Sequence, residues 1–222
     1  VRSFFEMTNL SLALREKLSR LGRISGVSIA EKYVSRKDGT VKYLLELDDG
    51  ECVESVIMRY QHGITICISL QVGCSMGCNF CASTIGGKKR NLTAGEILGE
   101  VIFVQEDTGE RISNIVMMGI GEPLDNLPQV SAFLENVNHE LGLGIGYRHI
   151  SLSTCGLVDG IDALAALKLP ITLSISLHAP NDEMRSSMMP VNRRYPIAQL
   201  MEACRRYQAS TGRRISFEYA MI

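Results

Sequence analysis

No stretch of this 222-residue sequence is apolar and long enough to span a bilayer, and no segment has the pattern of a signal peptide. Neither sign of charge dominates. Twenty-three Lys and Arg against 24 Asp and Glu leave a formal net charge of -1, which excludes a global basic field and restricts any nucleic-acid contact to local patches. Repeats and low-complexity tracts are missing, which excludes a solenoid. Aromatic residues are scarce, at 6% against 45% hydrophobic overall, an ordinary globular composition with length for one sizeable core and a small appendage. Cysteine is plentiful instead. Seven thiols, an odd number (Cys52, Cys67, Cys74, Cys78, Cys81, Cys155 and Cys204), fit a reducing cytoplasm, where cysteines serve as metal ligands or catalysts.

Three of the seven lie in Cys74-Ser75-Met76-Gly77-Cys78-Asn79-Phe80-Cys81. This C-x3-C-x2-C spacing supplies three thiolates from one loop and no fourth close by in sequence. Structural zinc and most iron-sulfur sites close with four protein ligands, so a triplet points to chemistry at an open metal position. The competing reading is zinc completed by Cys67 or a histidine, although neither gives the usual two-plus-two spacing.

Ser11 to Leu21 reads as a helix with Leu14, Leu18 and Leu21 on one face and Gly22 as its stop. Val41 to Leu47 and Cys52 to Met58, separated by Asp48-Asp49-Gly50, read as a β-hairpin. Residues 1–60 are thus expected to form an N-terminal appendage of helix and hairpin, joined to the rest through Arg59 to Gly63. Beyond it, strands near 64–70, 114–118, 149–153, 171–177 and 214–220 alternate with helices. The capping box Thr93 to Glu96 opens one helix, with Ile97, Val101, Ile102 and Val104 on its apolar side. Pro128 starts the next, whose stripe is Val130, Phe133, Leu134, Val137 and Leu141, closed by Gly142. Further helices are expected at about 160–168, 182–188 and 196–210.

The strands carry a two-sided pattern. In 64–70, Ile64, Ile66, Ile68 and Leu70 take one face and Thr65, Cys67 and Ser69 the other. The strand 171–177 repeats this with Thr172, Ser174 and Ser176, followed by His178, and Ser151 and Ser153 oppose Ile150 and Leu152. Helices on the aliphatic faces leave the polar faces looking into a shared interior. That favours an open, partial (β/α) barrel, with active residues at the strand C-termini, over a doubly wound sheet buried on both faces. The cysteine triplet then follows the first barrel strand.

C-x3-C-x-aromatic-C in that position, with Phe80 as the aromatic, resembles the radical S-adenosylmethionine superfamily. The resemblance implies a [4Fe-4S] cluster on Cys74, Cys78 and Cys81 whose open iron is chelated by S-adenosylmethionine, so that one electron cleaves its S–C bond to a 5′-deoxyadenosyl radical. Met117 to Leu124 contains Gly121-Glu122-Pro123, similar to the motif that receives the amino group of S-adenosylmethionine. Val53-Glu54-Ser55-Val56, Leu152-Ser153-Thr154 and Ser176-Leu177-His178-Ala179-Pro180-Asn181-Asp182 extend the likeness to the RlmN/Cfr family over about residues 50–195, and the RlmN type is the better match. Its members methylate C2 or C8 of an adenosine in 23S ribosomal RNA, and some also a tRNA anticodon-loop adenosine.

The resemblance further implies that Gly121, Glu122, Ser153, Ser176, Leu177 and His178 contact S-adenosylmethionine, that Glu54 accepts the C2 proton, and that Cys67 releases the product by disulfide formation with a methyl-carrying cysteine. Read without it, Glu54 is a solvated hairpin residue and His178 a structural histidine, while Cys67, on the small polar face, reads equally as a buried spectator and as a working thiol. Cys155 and Cys204 are read as structural. The carrier cysteine of the family lies past the fifth barrel strand, so the chain is expected to be a fragment with about five of six barrel strands. Lys88-Lys89-Arg90, Arg193-Arg194, Arg205-Arg206 and Arg213-Arg214 are the candidate phosphate contacts. The expected protein is a cytoplasmic, monomeric enzyme without a membrane partner, taking an RNA substrate and an electron donor. Another radical S-adenosylmethionine activity, such as a glycyl-radical activase, and a noncatalytic Fe-S or zinc RNA-binding module are the alternatives.

Overall fold

In the computed structural model, residues 3–22, 24 and 26–221 are described. Helix α1 (Leu12–Leu21) is capped by the Ser11 hydroxyl and stopped at Gly22, as its leucine spacing predicts. The first strands are β1 (Val27–Val34), β2 (Val41–Leu47), β3 (Cys52–Tyr60), β4 (Gly63–Cys67) and the two-residue β5 (Gln71–Val72). A second two-residue strand, β6 (Arg90–Asn91), pairs with β5. Then α2 (Ala94–Thr108), β7 (Asn114–Met117), α3 (Leu127–Asn138), β8 (Ile150–Thr154), α4 (Val158–Ala166), β9 (Thr172–Ser176), α5 (Asp182–Met188), α6 (Ile197–Thr211) and β10 (Ile215–Glu218) follow.

Eight strands form one sheet in the order β1-β2-β3-β4-β7-β8-β9-β10. Its first four are antiparallel, and from β4 onward all pairings are parallel. The five parallel strands are those of an open partial barrel, and β3 is hydrogen-bonded directly to β4. Helices cover the aliphatic face, where Ile66, Ile68, Ile115, Leu152, Leu173 and Ile175 join Ile97, Phe133, Leu164 and Tyr207 in one core. The small polar residues occupy the opposite face. Across it Ser151 and Ser174 hydroxyls lie 3.2 Å apart, and Ser174 and Ser216 2.7 Å.

Two expectations are corrected. Strand β1 precedes the hairpin unannounced, because it is an exposed edge whose register slips between Ile29 and Glu31, which erases the period-two signal. Helix α3 ends at Asn138 rather than near Gly142, and Leu141 is 88% exposed instead of completing the stripe. The Asn136 and His139 carbonyls crowd where a side chain at Gly142 would stand, so this glycine serves a tight turn beyond the helix.

Candidate functional site

The cysteine loop leaves the sheet through β5 and folds back at Gly77, whose φ of +70° is left-handed. At Gly73 (φ +73°) an added Cβ would sit 1.9 Å from the Gly87 carbonyl oxygen, so only glycine fits where the loop closes on itself. The Asn79 backbone N–H donates to Met188 O (3.0 Å) and its side-chain amide to Ser187 O (3.0 Å). These two bonds dock the loop on the end of α5. Thr84 Oγ1 donates to the Cys81 carbonyl at 2.9 Å, and the Phe80 ring stands edge-on to His178 with centroids 5.2 Å apart. Cys74, Cys78 and Cys81 thereby line one hollow together with Gly121, Glu122, Ser153, Ser176 and His178.

The Gly-Glu-Pro turn follows β7. An added Cβ at Gly119 would meet the Ile68 carbonyl oxygen at 2.5 Å and one at Gly121 the Gln71 Cβ at 2.5 Å, so both glycines are required by strand packing. Glu122 is buried, and burial raises its pKa while backbone N–H donors pull it back. Its Oε1 accepts from Leu124 N (3.0 Å) and its Oε2 from Cys155 N (2.8 Å). Ser153 and Ser176 hydroxyls lie 3.3 Å apart on neighbouring strands. His178 sits at φ +55° and accepts from Ala220 N at Nδ1 (3.0 Å), so the neutral ring carries its proton on Nε2. Burial lowers its pKa.

The fully buried Arg185 fixes the strand ends around the hollow. It donates to Cys155 O (2.6 Å), Leu177 O (3.1 Å), Ser176 O (3.2 Å) and Asn192 Oδ1 (3.0 Å). Leu177 packs towards the core instead of lining the hollow.

Glu54 and Cys67 are also outside the lining. Glu54 lies on β3 in a half-exposed ion pair with Lys42 (2.6 Å). Cys67 is paired with Val56 of β3 and Val116 of β7, and burial pushes its thiol up to about 11. Behind them Glu100 of α2 is fully buried. Its Oε2 accepts from the Ser55 hydroxyl and from Ser69 N (3.0 Å), while Oε1 has no partner. Ser69 Oγ in turn donates to Glu54 O (2.7 Å) and accepts from Ile120 N (3.0 Å), tying β3 to the Gly-Glu-Pro turn.

Cys155 and Glu218 are among the lining residues that escape the sequence reading. Cys155 is not a remote structural thiol: it packs with Cys78, and burial with the Glu122 carboxylate pushes its pKa well up. Glu218 lines the hollow from β10. Its signal was the alternation Ile215-Ser216-Phe217-Glu218, which continues the polar face. The basic clusters are mostly engaged in ion pairs. Lys88 binds Asp125 (2.6 Å), Lys89 binds Glu51 (2.7 Å), and Arg90 binds Asp49 (2.7 Å) and Glu96 (2.8 Å).

The donor set favours a cluster and a cationic ligand. Among the described residues no three His, Cys, Asp or Glu side chains converge to hold a single metal ion, as mononuclear zinc requires. A cubane takes each cysteine on a different iron, which three thiols around one hollow allow. The lining includes Glu122 and Glu218 but no Lys or Arg. Burial first, then the neighbouring thiols and the Glu122 carboxylate, raise the Cys74 and Cys78 pKa values, so their thiolates call for positive charge in the hollow.

Residues 68–222 match the radical SAM superfamily profile. The chain belongs to that superfamily. Membership brings a [4Fe-4S] cluster and S-adenosylmethionine. It is 58% identical over 222 residues to a probable dual-specificity RNA methyltransferase RlmN of Desulforamulus reducens, covering 100% of this chain and 63% of that relative. The corresponding values for the RlmN of Alkaliphilus oremlandii are 56%, 100% and 65%. The crystal structure of a radical SAM methyltransferase from Sphaerobacter thermophilus superimposes with a TM-score of 0.93 at 42% identity, over 99% of this chain and 65% of the other. The chain therefore spans less than two thirds of the length of these relatives. No helix among the described residues is long and apolar enough to cross a membrane.

Proposed function

We propose that the chain is the radical-generating core of a cytoplasmic RNA methyltransferase acting on C2 of an adenosine in 23S ribosomal RNA, with tRNA as a second substrate. The observation that carries the reading is that the three thiols, the Gly-Glu-Pro turn and the Ser153, Ser176 and His178 side chains line one hollow. The names of the relatives supply the substrate class.

In this reading Cys74, Cys78 and Cys81 hold the cluster, and Gly121, Glu122, Ser153, Ser176 and His178 hold S-adenosylmethionine beside it. Bound together, the two supply a one-electron cleavage that makes a carbon radical. Phe80 and His178, in edge contact, keep the cysteine loop registered against the end of β9. Glu122 has both carboxylate oxygens committed to backbone N–H groups, so any ammonium it receives meets a carboxylate already fixed in place. Glu54 takes the adenine proton once the Lys42 pair opens. Cys67 serves as the resolving thiol, and its raised pKa keeps it protonated at neutral pH until its partner cysteine is in reach.

The test is anaerobic reconstitution with iron and sulfide, followed by S-adenosylmethionine and a reductant. The expected products are 5′-deoxyadenosine from this chain and 2-methyladenosine in RNA when the longer protein is used. A colourless protein holding stoichiometric zinc sinks the reading.

A further inference from the structure

Two rungs of side chains cross the polar face of β8, β9 and β10. The lower rung is Ser151, Ser174 and Ser216, three hydroxyls with 3.2 Å and 2.7 Å between neighbours. The upper rung, two residues along each strand, is Ser153, Ser176 and Glu218, joined by side-chain contacts of the two hydroxyls with each other and with the carboxylate. Ser216 is outside the lining of the hollow, whereas Glu218 is part of it. Strand β10 thus carries a hydroxyl below and a carboxylate where a ligand would sit.

The Glu218 carboxylate is held but not used up. Ser153 Oγ donates to its Oε2 at 3.2 Å and Ser176 Oγ to the same oxygen at 3.4 Å. Its backbone carbonyl accepts from Leu177 N and His178 N, both at 3.1 Å, which fixes the strand against the β9 loop. Among the described residues, Oε1 takes no hydrogen bond from the protein. Glu122 differs, because both of its oxygens accept backbone N–H groups. Glu218 therefore presents the hollow with its carboxylate oxygen free of protein donors. A carboxylate flanked by two serine hydroxyls offers acceptors and donors side by side. An ammonium can only donate, whereas each hydroxyl of a vicinal diol both donates and accepts.

We propose that Glu218, with Ser153 and Ser176, binds the ribose 2′- and 3′-hydroxyls of S-adenosylmethionine, a carboxylate-to-ribose contact of the kind dinucleotide sites use. The inference rests on the reading of this hollow as the S-adenosylmethionine site. The test is equilibrium binding to the cluster-loaded protein under anaerobic conditions, by calorimetry, with S-adenosylmethionine and its 2′,3′-dideoxy analogue. Glu218→Gln keeps the shape and Glu218→Ala removes the group, with Ser216→Ala on the lower rung as the control. Both Glu218 variants are expected to bind S-adenosylmethionine about 10- to 100-fold more weakly than wild type, the span of one or two charge-assisted hydrogen bonds. Against the dideoxy analogue they should match wild type. An equal loss for both ligands marks Glu218 as a structural residue and overturns the proposal, as does no loss for either. If wild-type protein with its cluster assembled binds neither ligand, the reading of the hollow itself falls, and this assignment with it.

Discussion

Replacing Glu100 by Gln should make the protein relatively more stable as the pH rises. Glu100 is fully buried with one oxygen unpartnered, and burial raises its pKa from 4.5 to about 8. Between those values the folded state holds a proton that the unfolded state has already lost. The stabilisation from this group is present in full below 4.5 and disappears as the pH climbs through about 8. Between about pH 5 and pH 8 the wild type should lose on the order of 3 kcal/mol through this one group, at 1.36 kcal/mol per pKa unit. Gln keeps an acceptor for the Ser55 hydroxyl and Ser69 N–H and cannot ionise, so its curve lacks this slope. The assay is urea unfolding of both proteins, cluster-free and under reductant, at several pH values. The quantity to follow is the difference in unfolding free energy, since every other titrating group is shared. Near pH 5 the variant should lie within about 1 kcal/mol of wild type, because one unpartnered polar atom replaces another. If the difference stays constant to pH 8, the carboxyl does not keep its proton on folding and the argument from burial is wrong.

Gly73→Ala should abolish cluster incorporation, read as iron content and visible absorbance, because the new Cβ meets the Gly87 carbonyl oxygen at 1.9 Å. The left-handed backbone there adds about 1–3 kcal/mol of destabilisation. Arg185→Met should lower unfolding free energy by about 3–5 kcal/mol, since two buried and two part-buried acceptors lose their donor; an unchanged melting temperature would refute it. In timed alkylation mapped by mass spectrometry, exposed Cys52 should react well before Cys67, whose thiol is held at about 11. Cys78→Ser should leave the fold intact by circular dichroism while iron content on reconstitution falls sharply.

The parallel strands were legible because each alternates aliphatic with small polar residues, a pattern that follows when one face is packed and the other is left open. The capping box at Thr93 was equally plain, and both of its reciprocal bonds are present. Strand β1 was not, because a bulge and an exposed face leave no periodicity to read. In the site, the cysteine loop and Gly-Glu-Pro were visible as short contiguous motifs. Cys155 and Glu218 were hidden because what brings them in is the pairing of β8, β9 and β10, and a single sequence does not state which strands are neighbours. The ion pairs of the 88–90 run were hidden for a related reason: Asp49, Glu51, Glu96 and Asp125 reach it from other elements.

The switch from antiparallel to parallel pairing at β4 also sets an order of assembly. Strands β1 to β4 are joined by short connections, the last of them residues 61–62, whereas every parallel pair waits on a crossover, the first running from residue 68 to 113. A loop about tenfold longer adds about 2 kcal/mol of closure entropy, so the meander forms on local contacts and the parallel strands are recruited to its β4 edge. Pulse-labelled hydrogen exchange should find β2 and β3 protected before β8 and β9. The hollow comes into being last, when β10 docks, so cluster insertion meets either an almost finished protein or a bare cysteine loop with nothing behind it.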